Sequence, residues 1–83
     1  DGSVVKEMGL IKIEVSSDDR SEALQIAEHY GCKTIDLSDN SMIIQVVGNP
    51  DKIDALENMI GKFKIIELVR TGKVVMSRGE KRT

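Results

Sequence analysis

The chain has 83 residues, a formal net charge of −2 and a single cysteine. This length accommodates one small domain, and the near balance of 12 basic and 14 acidic side chains gives no electrostatic field that would capture nucleic acid. No apolar run approaches the roughly 20 residues of a membrane span, and no signal-peptide pattern opens the sequence. The lone Cys32 excludes an internal disulfide and fits a reducing compartment. The first residue is Asp1 rather than Met, which suggests a processed form or an excised domain.

The first half of the chain predicts a strand, a helix and a second strand. Residues 8–15 alternate in the period of a strand with two different faces. Asp19, with Glu22 three residues later, resembles a capping box that opens a helix. Gly31 follows the last helical residue, where a left-handed C-terminal cap is wanted. Residues 32–37 then form a short strand.

The second half predicts the same types of element in the order strand, helix, strand. Residues 38–40 (Ser-Asp-Asn) have turn chemistry, so that residues 42–47 return as the second arm of a hairpin. Asn49 suits a helix N-cap and Pro50 suits the first helical position. The apolar stripe of this helix consists of Ile53, Leu56, Met59 and Ile60. Gly61 ends the helix, and residues 63–69 form the last strand.

This order of elements indicates an α+β fold of the ferredoxin-like βαββαβ type. Such a fold has a four-stranded antiparallel sheet with two helices on one face. Right-handed crossovers place the first and third strands in the centre of the sheet and the second strand at one edge. The predicted organisation is an N-terminal extension or linker remnant at residues 1–7, the ferredoxin-like domain at 8–70 and a C-terminal tail at 71–83.

The sheet face without helices is predicted to be an interface. The helix-facing set is taken as Ile11, Ile13, Val15, Ile44, Val46, Ile66 and Leu68. The other face then carries Leu10, Ile43, Val47, Phe63, Ile65 and Val69, interleaved with charged residues. A solvated antiparallel face is mostly polar, whereas this one is about half apolar, which favours covering by another chain. An error of one residue in a strand register, or the tail folding over this face, is the alternative.

The segment after the last strand is the most distinctive part of the sequence. Residues 70–73 (Arg-Thr-Gly-Lys) lead into Val74, Val75 and Met76, three consecutive large apolar residues outside the predicted domain. The whole segment 70–76, with Thr71 included, is predicted to bind a partner. Arg70 and Lys73 would be its polar anchors, Gly72 would allow close backbone approach, and residues 74–76 would be the apolar contact. The alternative is self-packing, in which Arg70 pairs with Glu67, Gly72 only makes a turn and residues 74–76 add an edge strand to the same domain.

Few side chains suggest catalysis or ligand binding. His29, near a helix C-terminus, and Cys32, a small partly buried thiol, both fit structural roles. No Cys/His set has metal-ligand spacing and no glycine-rich run cradles phosphate, so neither a cofactor nor an enzyme is predicted. Ser16, Ser17 and Asp18, before the first helix, form a weak candidate site for an effector carboxylate. Ordinary capping is the more common role of such residues.

Several blocks of sequence together resemble one family. They are residues 9–15 (Gly-Leu-Ile-Lys-Ile-Glu-Val), 27–28 with 32–38 (Cys-Lys-Thr-Ile-Asp-Leu-Ser), 47–48 with 51–56 (Asp-Lys-Ile-Asp-Ala-Leu), 67–73 (Glu-Leu-Val-Arg-Thr-Gly-Lys) and 77–79 (Ser-Arg-Gly). In this order they resemble the C-terminal, ACT-like domain of the small regulatory subunit of acetohydroxyacid (acetolactate) synthase. The resemblance covers residues 6–79, and the Arg-Thr-Gly block is its most specific part.

The resemblance implies a non-catalytic regulatory protein without a cofactor of its own. Its partner would be the thiamine-diphosphate-dependent catalytic (large) subunit of branched-chain amino-acid biosynthesis, which it would activate and subject to valine feedback. A homodimer and a branched-chain amino-acid effector are further expected partners, whereas nucleic acid and membranes are not. The expected location is the cytoplasm, or an organelle in a eukaryote. The alternative function is a stand-alone ACT-like amino-acid sensor.

Overall fold

A computed structural model of the protein describes residues 2–82. The elements follow the predicted order, with one strand added at the end. In chain order they are β1 (Ser3–Glu14), α1 (Arg20–His29), β2 (Lys33–Leu37), β3 (Ser41–Gly48), α2 (Pro50–Ile60), β4 (Lys64–Arg70) and β5 (Val74–Ser77).

The main sheet has the strand order β2-β3-β1-β4, and all of its pairs are antiparallel. The predictions of an α+β ferredoxin-like fold, of β1 and β3 in the centre and of β2 at an edge are therefore confirmed. The prediction of four strands is incomplete, because β5 pairs with the N-terminal part of β1.

The hydrophobic core lies between the sheet and the two helices. The predicted helix-facing residues of β1 and β3 are buried, and so is most of the α2 stripe. Met59, expected in that stripe, is half exposed. The core consists of Ile11, Ile13, Val15, Ala23, Ala27, Met42, Ile44, Val46, Ile53, Leu56, Ile60 and Phe63. A dozen buried apolar side chains are enough to fix the positions of both helices on the sheet.

Two of the three predicted helix-capping interactions are present in the structure. Gly31 has φ of 67°, and the N–H groups of Gly31 and Cys32 donate to the carbonyls of Glu28 and Ala27, which is a Schellman cap. The Asn49 side chain accepts from the N–H of Lys52 at 2.9 Å. The capping box at Asp19 was a wrong prediction, since the Asp19 side chain makes no capping bond.

Strand β4 contains an irregularity that changes the predicted sheet faces. Lys12 pairs with Glu67 but Ile13 pairs with Ile65, so Ile66 is the extra residue of a β-bulge. Because one inserted residue reverses the alternation, Phe63 is buried and Ile65 packs against the core, whereas Ile66 is exposed. The assignment of Phe63 and Ile65 to the uncovered face, and of Ile66 to the helix face, was therefore wrong.

Strand β1 begins at Ser3, five residues before the predicted start of the first strand. The predicted boundary between residues 7 and 8 thus falls inside a strand, and β5 lies within the predicted tail. The division into extension, domain and tail stays a prediction, and its end residues Asp1 and Thr83 lie outside the described residues.

Candidate functional site

The N-terminal part of β1 and the whole of β5 form a two-stranded arm that extends beyond the main sheet. We define the arm as residues 3–6 and 74–77, which pair antiparallel from Ser3↔Ser77 to Lys6↔Val74. The pairing of β1 with β3 ends at Glu7↔Gly48, so the arm has no third strand among the described residues. The described part of the chain is therefore elongated, with extents of 49 × 19 × 18 Å.

The arm presents apolar side chains on both of its faces. Directly opposed residues of an antiparallel pair share a face, so Val4, Met76 and Val74 lie on one face. Val5 and Val75 lie on the other. Met76 is 69% exposed and Val74 is 59% exposed, and no arm residue belongs to the core. Val4, Val74, Val75 and Met76 are thus neighbouring apolar side chains that are exposed in the described part of the chain.

The uncovered face of the main sheet continues one face of the arm. Side chains of β1 alternate, so Val4 lies on the same side as Leu10. Leu10 and Ile43 are half-buried, whereas Val47 and Val69 are exposed. A shallow groove of about 170 Å³ lies on this face, lined by Leu10, Lys12, Ile43, Glu67 and Val69. Four of the six residues predicted for this face are therefore on it, and the covering of the face by another chain stays a prediction.

Arg70 lies at the base of the arm and is bound within the chain. Its Nε and Nη2 donate to the two carboxylate oxygens of Glu7 at 2.9 and 2.7 Å, a bidentate pair. Its Nη1 donates to Asp54 and Glu57 of α2 at 2.6 and 3.2 Å. Arg70 therefore connects β1, β4 and α2 instead of pairing with Glu67, which was the alternative. Its predicted contact with a partner stays a prediction.

Glu7 is the buried centre of this cluster, only 5% exposed. Besides Arg70 it accepts from the backbone N–H of Gly72 at 3.1 Å. The hydrogen bonds from Arg70 lower the pKa of the Glu7 carboxyl, and the bond from Gly72 acts in the same direction, whereas burial opposes them. The bond to Glu7 and that to Asp54 raise the pKa of Arg70. Both groups are thus held in their charged forms.

Thr71 and Gly72 carry the chain from β4 to β5. The N–H of Thr71 donates to the Met8 carbonyl at 3.0 Å, and the N–H of Met8 donates to the Thr71 hydroxyl at 3.1 Å. Gly72 has φ of 77°, a conformation that glycine adopts without a steric penalty. Between the pairs Gly9↔Arg70 and Lys6↔Val74, the β4–β5 side has one residue more than β1. After this one-residue irregularity, β5 continues along the same edge of β1. Lys73 is exposed.

The weak effector candidate forms a hydrogen-bonded turn before α1. The N–H of Asp19 donates to the carbonyl of Ser16 at 3.1 Å and to its hydroxyl at 3.3 Å. Ser17 and Asp18 are exposed. No observation therefore favours effector binding at residues 16–18 over the alternative, and the site stays a prediction.

His29 and Cys32, the two side chains considered for catalysis, make contacts that fit structural roles. The rings of His29 and Tyr30 meet edge to face with centroids 5.0 Å apart. Cys32 is half-buried, and burial raises the pKa of its thiol. Residues 2–82 contain no cluster of three potential metal ligands, and neither helix has the length and apolar content to cross a membrane.

Sequence reasoning missed Glu7 and the pair Val4-Val5. The available signal was the alternation of β1, in which residue 7 has the same parity as the buried residues 11 and 13. A carboxylate at an inward-facing position needs a buried partner, and Arg70 has the same inward parity in β4 after the bulge. The adjacent valines extend the strand pattern towards the N-terminus.

Comparisons with known proteins agree on one family. Residues 6–79 match the family model described as the small subunit of acetolactate synthase. A probable acetolactate synthase small subunit of Archaeoglobus fulgidus is 35% identical over 99% of this chain and 52% of its own length. The acetolactate synthase small subunit of Aquifex aeolicus is 42% identical over 90% of this chain and 40% of its own length.

A solved structure supports the same relationship. The crystal structure of the acetolactate synthase small subunit from Thermotoga maritima is similar with a TM-score of 0.87 and 34% identity, over 96% of this chain and 49% of that one. The chain thus spans about half the length of these relatives. The resemblance found in the sequence blocks is confirmed: the chain belongs to the family of acetolactate synthase small subunits.

Proposed function

We propose that this chain is a non-catalytic regulatory domain of an acetolactate synthase, which binds the thiamine-diphosphate-dependent catalytic subunit and raises its activity. The arm is the docking surface. The observation that supports this proposal most strongly is the exposure of large apolar side chains on both faces of the arm, including Val74 and Met76.

An isolated two-stranded ribbon of four residue pairs gains little stability from its own contacts. Its exposed valines and methionine gain about 25 cal/mol for each Å² that a partner covers. Contiguous apolar surface of this kind marks protein interaction sites. The arm therefore contributes most of its hydrophobic free energy in a complex rather than in the free chain.

Within this proposal, Arg70 positions the arm and does not contact the partner. Its bidentate bond to Glu7 and its bonds to α2 fix the arm's base relative to the helices. Residues 71–76 supply the contacts, with Lys73 as a polar anchor and residues 74–76 as the apolar ones.

Two finer parts of the proposal concern assembly and regulation. The remaining open face, around Leu10, Ile43, Val47 and Val69, is proposed to bind a second small subunit or the catalytic subunit. Valine feedback is proposed to act on the assembled complex. It is tested by repeating the activation assay with increasing valine, which lowers the activated rate if this chain supports feedback.

The proposal is tested by titrating the chain into the catalytic subunit from the same source while acetolactate formation is followed. We expect a saturable rise in rate. Met76→Ser should raise the half-saturating concentration by about tenfold, since a methionine that becomes buried in the complex contributes about 1.5–3 kcal/mol. Met59→Ser is the matched control, because Met59 is an exposed methionine as well but lies on α2.

If the folded chain leaves the rate of acetolactate formation unchanged, activation by this domain is contradicted. Equal weakening by Met76→Ser and Met59→Ser would contradict the arm as the docking surface while leaving activation intact.

A further inference from the structure

We infer that the surface that receives the arm is apolar in its centre and carries carboxylates at its rim. This inference deepens the proposed function and rests on it, since the partner is the catalytic subunit. It is based on the distribution of charge along the chain, which the apolar contacts alone do not predict.

The charges of the chain are segregated between two regions. Residues 7–70, which we call the body, contain twelve acidic and seven basic side chains. Residues 2–6 and 71–82 contain five basic side chains and one acidic one, Glu80. The arm and its continuation are therefore positive, although the chain as a whole has a charge of −2.

The cations of the arm frame its apolar residues. Lys6 is opposite Val74, and Lys73 immediately precedes it, so both lie at the base of the arm. Arg78 follows β5 at the tip, where its N–H donates to the Gly2 carbonyl at 2.8 Å. In the part of the chain that the structure describes, the basic partners of the ion pairs are Lys12, Lys62 and Arg70. The charges that frame the arm are thus left for a partner.

This arrangement has the form of an interface with an apolar centre and a polar rim. Opposite charges across such a rim increase the association rate and select the partner. Unpaired lysines at a rim would repel a basic surface and gain nothing from a neutral one. A surface with carboxylates around an apolar depression is therefore the complementary one.

Two other anionic partners fit the arm less well. A membrane surface covers one face of an amphipathic element, whereas Val5 and Val75 lie on the opposite face from Val4 and Met76. Single-stranded nucleic acid is bound largely by stacking of its bases on aromatic side chains, and both aromatic residues, Tyr30 and Phe63, lie outside the arm. A protein cleft that encloses both faces is favoured.

The test compares two double variants in binding to the catalytic subunit, measured by surface plasmon resonance at low and high salt. Lys6→Gln with Lys73→Gln removes two charges from the arm. Lys33→Gln with Lys64→Gln removes two exposed charges from the body and is the matched control. We expect the arm variant to bind about fivefold more weakly at low salt, mainly through slower association. The difference shrinks at high salt.

Equal binding of the arm variant and the wild type, with no salt dependence of either, would overturn the acidic rim while the proposed function stands. Absence of binding by the wild type would overturn both. Sedimentation of the wild type with vesicles of phosphatidylcholine and phosphatidylserine, lost in the arm variant but not in the control, would assign the cations to a membrane instead and overturn the inference.

Discussion

The body and the arm are held in place by different kinds of interaction. The body covers one face of its sheet with two helices and buries twelve apolar side chains there. The arm has the same backbone pairing as the sheet, but its apolar side chains remain largely in solvent. At the junction, one ion-pair cluster of Arg70 around the buried Glu7 joins the two regions.

Under the proposed function, this difference separates residues that are constrained by folding from residues that are constrained by binding. Changes in the body act on the free energy of unfolding of the chain itself. Changes in the arm act on association, since the arm has little burial to lose. Changes at the junction act on the orientation of the arm and connect the two effects.

The largest expected effect on stability is in the body. Ile44→Ala removes a fully buried side chain from β3 and should lower the free energy of unfolding by about 2–5 kcal/mol. Val74→Ala in the arm should change it by about 0.5 kcal/mol or less. Urea denaturation followed by circular dichroism measures both, and equal losses would show that the arm is part of the folding core.

The junction is broken by Arg70→Met, which keeps the length of the side chain but removes all of its donors. Loss of the charge leaves the buried Glu7 carboxylate without its main partner, so the arm should become mobile and the melting temperature should fall. Hydrogen exchange should then accelerate at residues 4–6 and 74–76 more than in the core of β3. Lys62→Met, which removes an exposed ion pair with Glu22, is the control and should leave the arm unchanged.

The same junction predicts a dependence of stability on pH. The pKa of Glu7 is lowered in the folded chain from its ordinary value of about 4.5. A lowered pKa gives stabilisation that is complete above about pH 4.5 and is lost as the pH falls through the lowered value. As the pH is lowered, the urea midpoint of unfolding should therefore fall less steeply for Glu7→Gln than for the wild type. Parallel curves of midpoint against pH would refute a stabilising role of the ionised carboxylate.

The smallest expected effects on stability are at the N-terminal ends of the two helices. Asn49→Ala removes a side-chain cap of α2 and should cost about 1 kcal/mol. Asp19→Ala removes a side chain that makes no capping bond and should change the free energy of unfolding by no more than about 0.5 kcal/mol. The reverse ranking would mean that the capping geometry at the two helix ends is misassigned.

The parts of the fold that could be predicted from sequence are those governed by local patterns. Alternation gave the inward faces of β1 and β3, and Gly31 and Asn49 marked two helix ends correctly. The bulge at Ile66 could not be predicted, because nothing local to residues 64–70 distinguishes an inserted residue from regular alternation. Phe63 and Ile65 were consequently placed on the wrong face.

The candidate site was predicted only in outline. Residues 74–76 were identified by their apolar character, but their pairing with residues 4–6 connects opposite ends of the chain and has no local signal. The role of Arg70 depends on Glu7, Asp54 and Glu57, which are 63, 16 and 13 residues away in sequence. Such long-range pairs are defined by topology, so a surface anchor and a junction residue are indistinguishable in the sequence alone.

The most direct test of the arm as the docking surface is hydrogen exchange of the chain with and without the catalytic subunit. Amides in residues 4–6 and 74–77 should exchange more slowly in the complex, while those on the exposed sides of α1 and α2 remain unchanged. Protection confined to the helices, with the arm exchanging as in the free chain, would contradict the central claim.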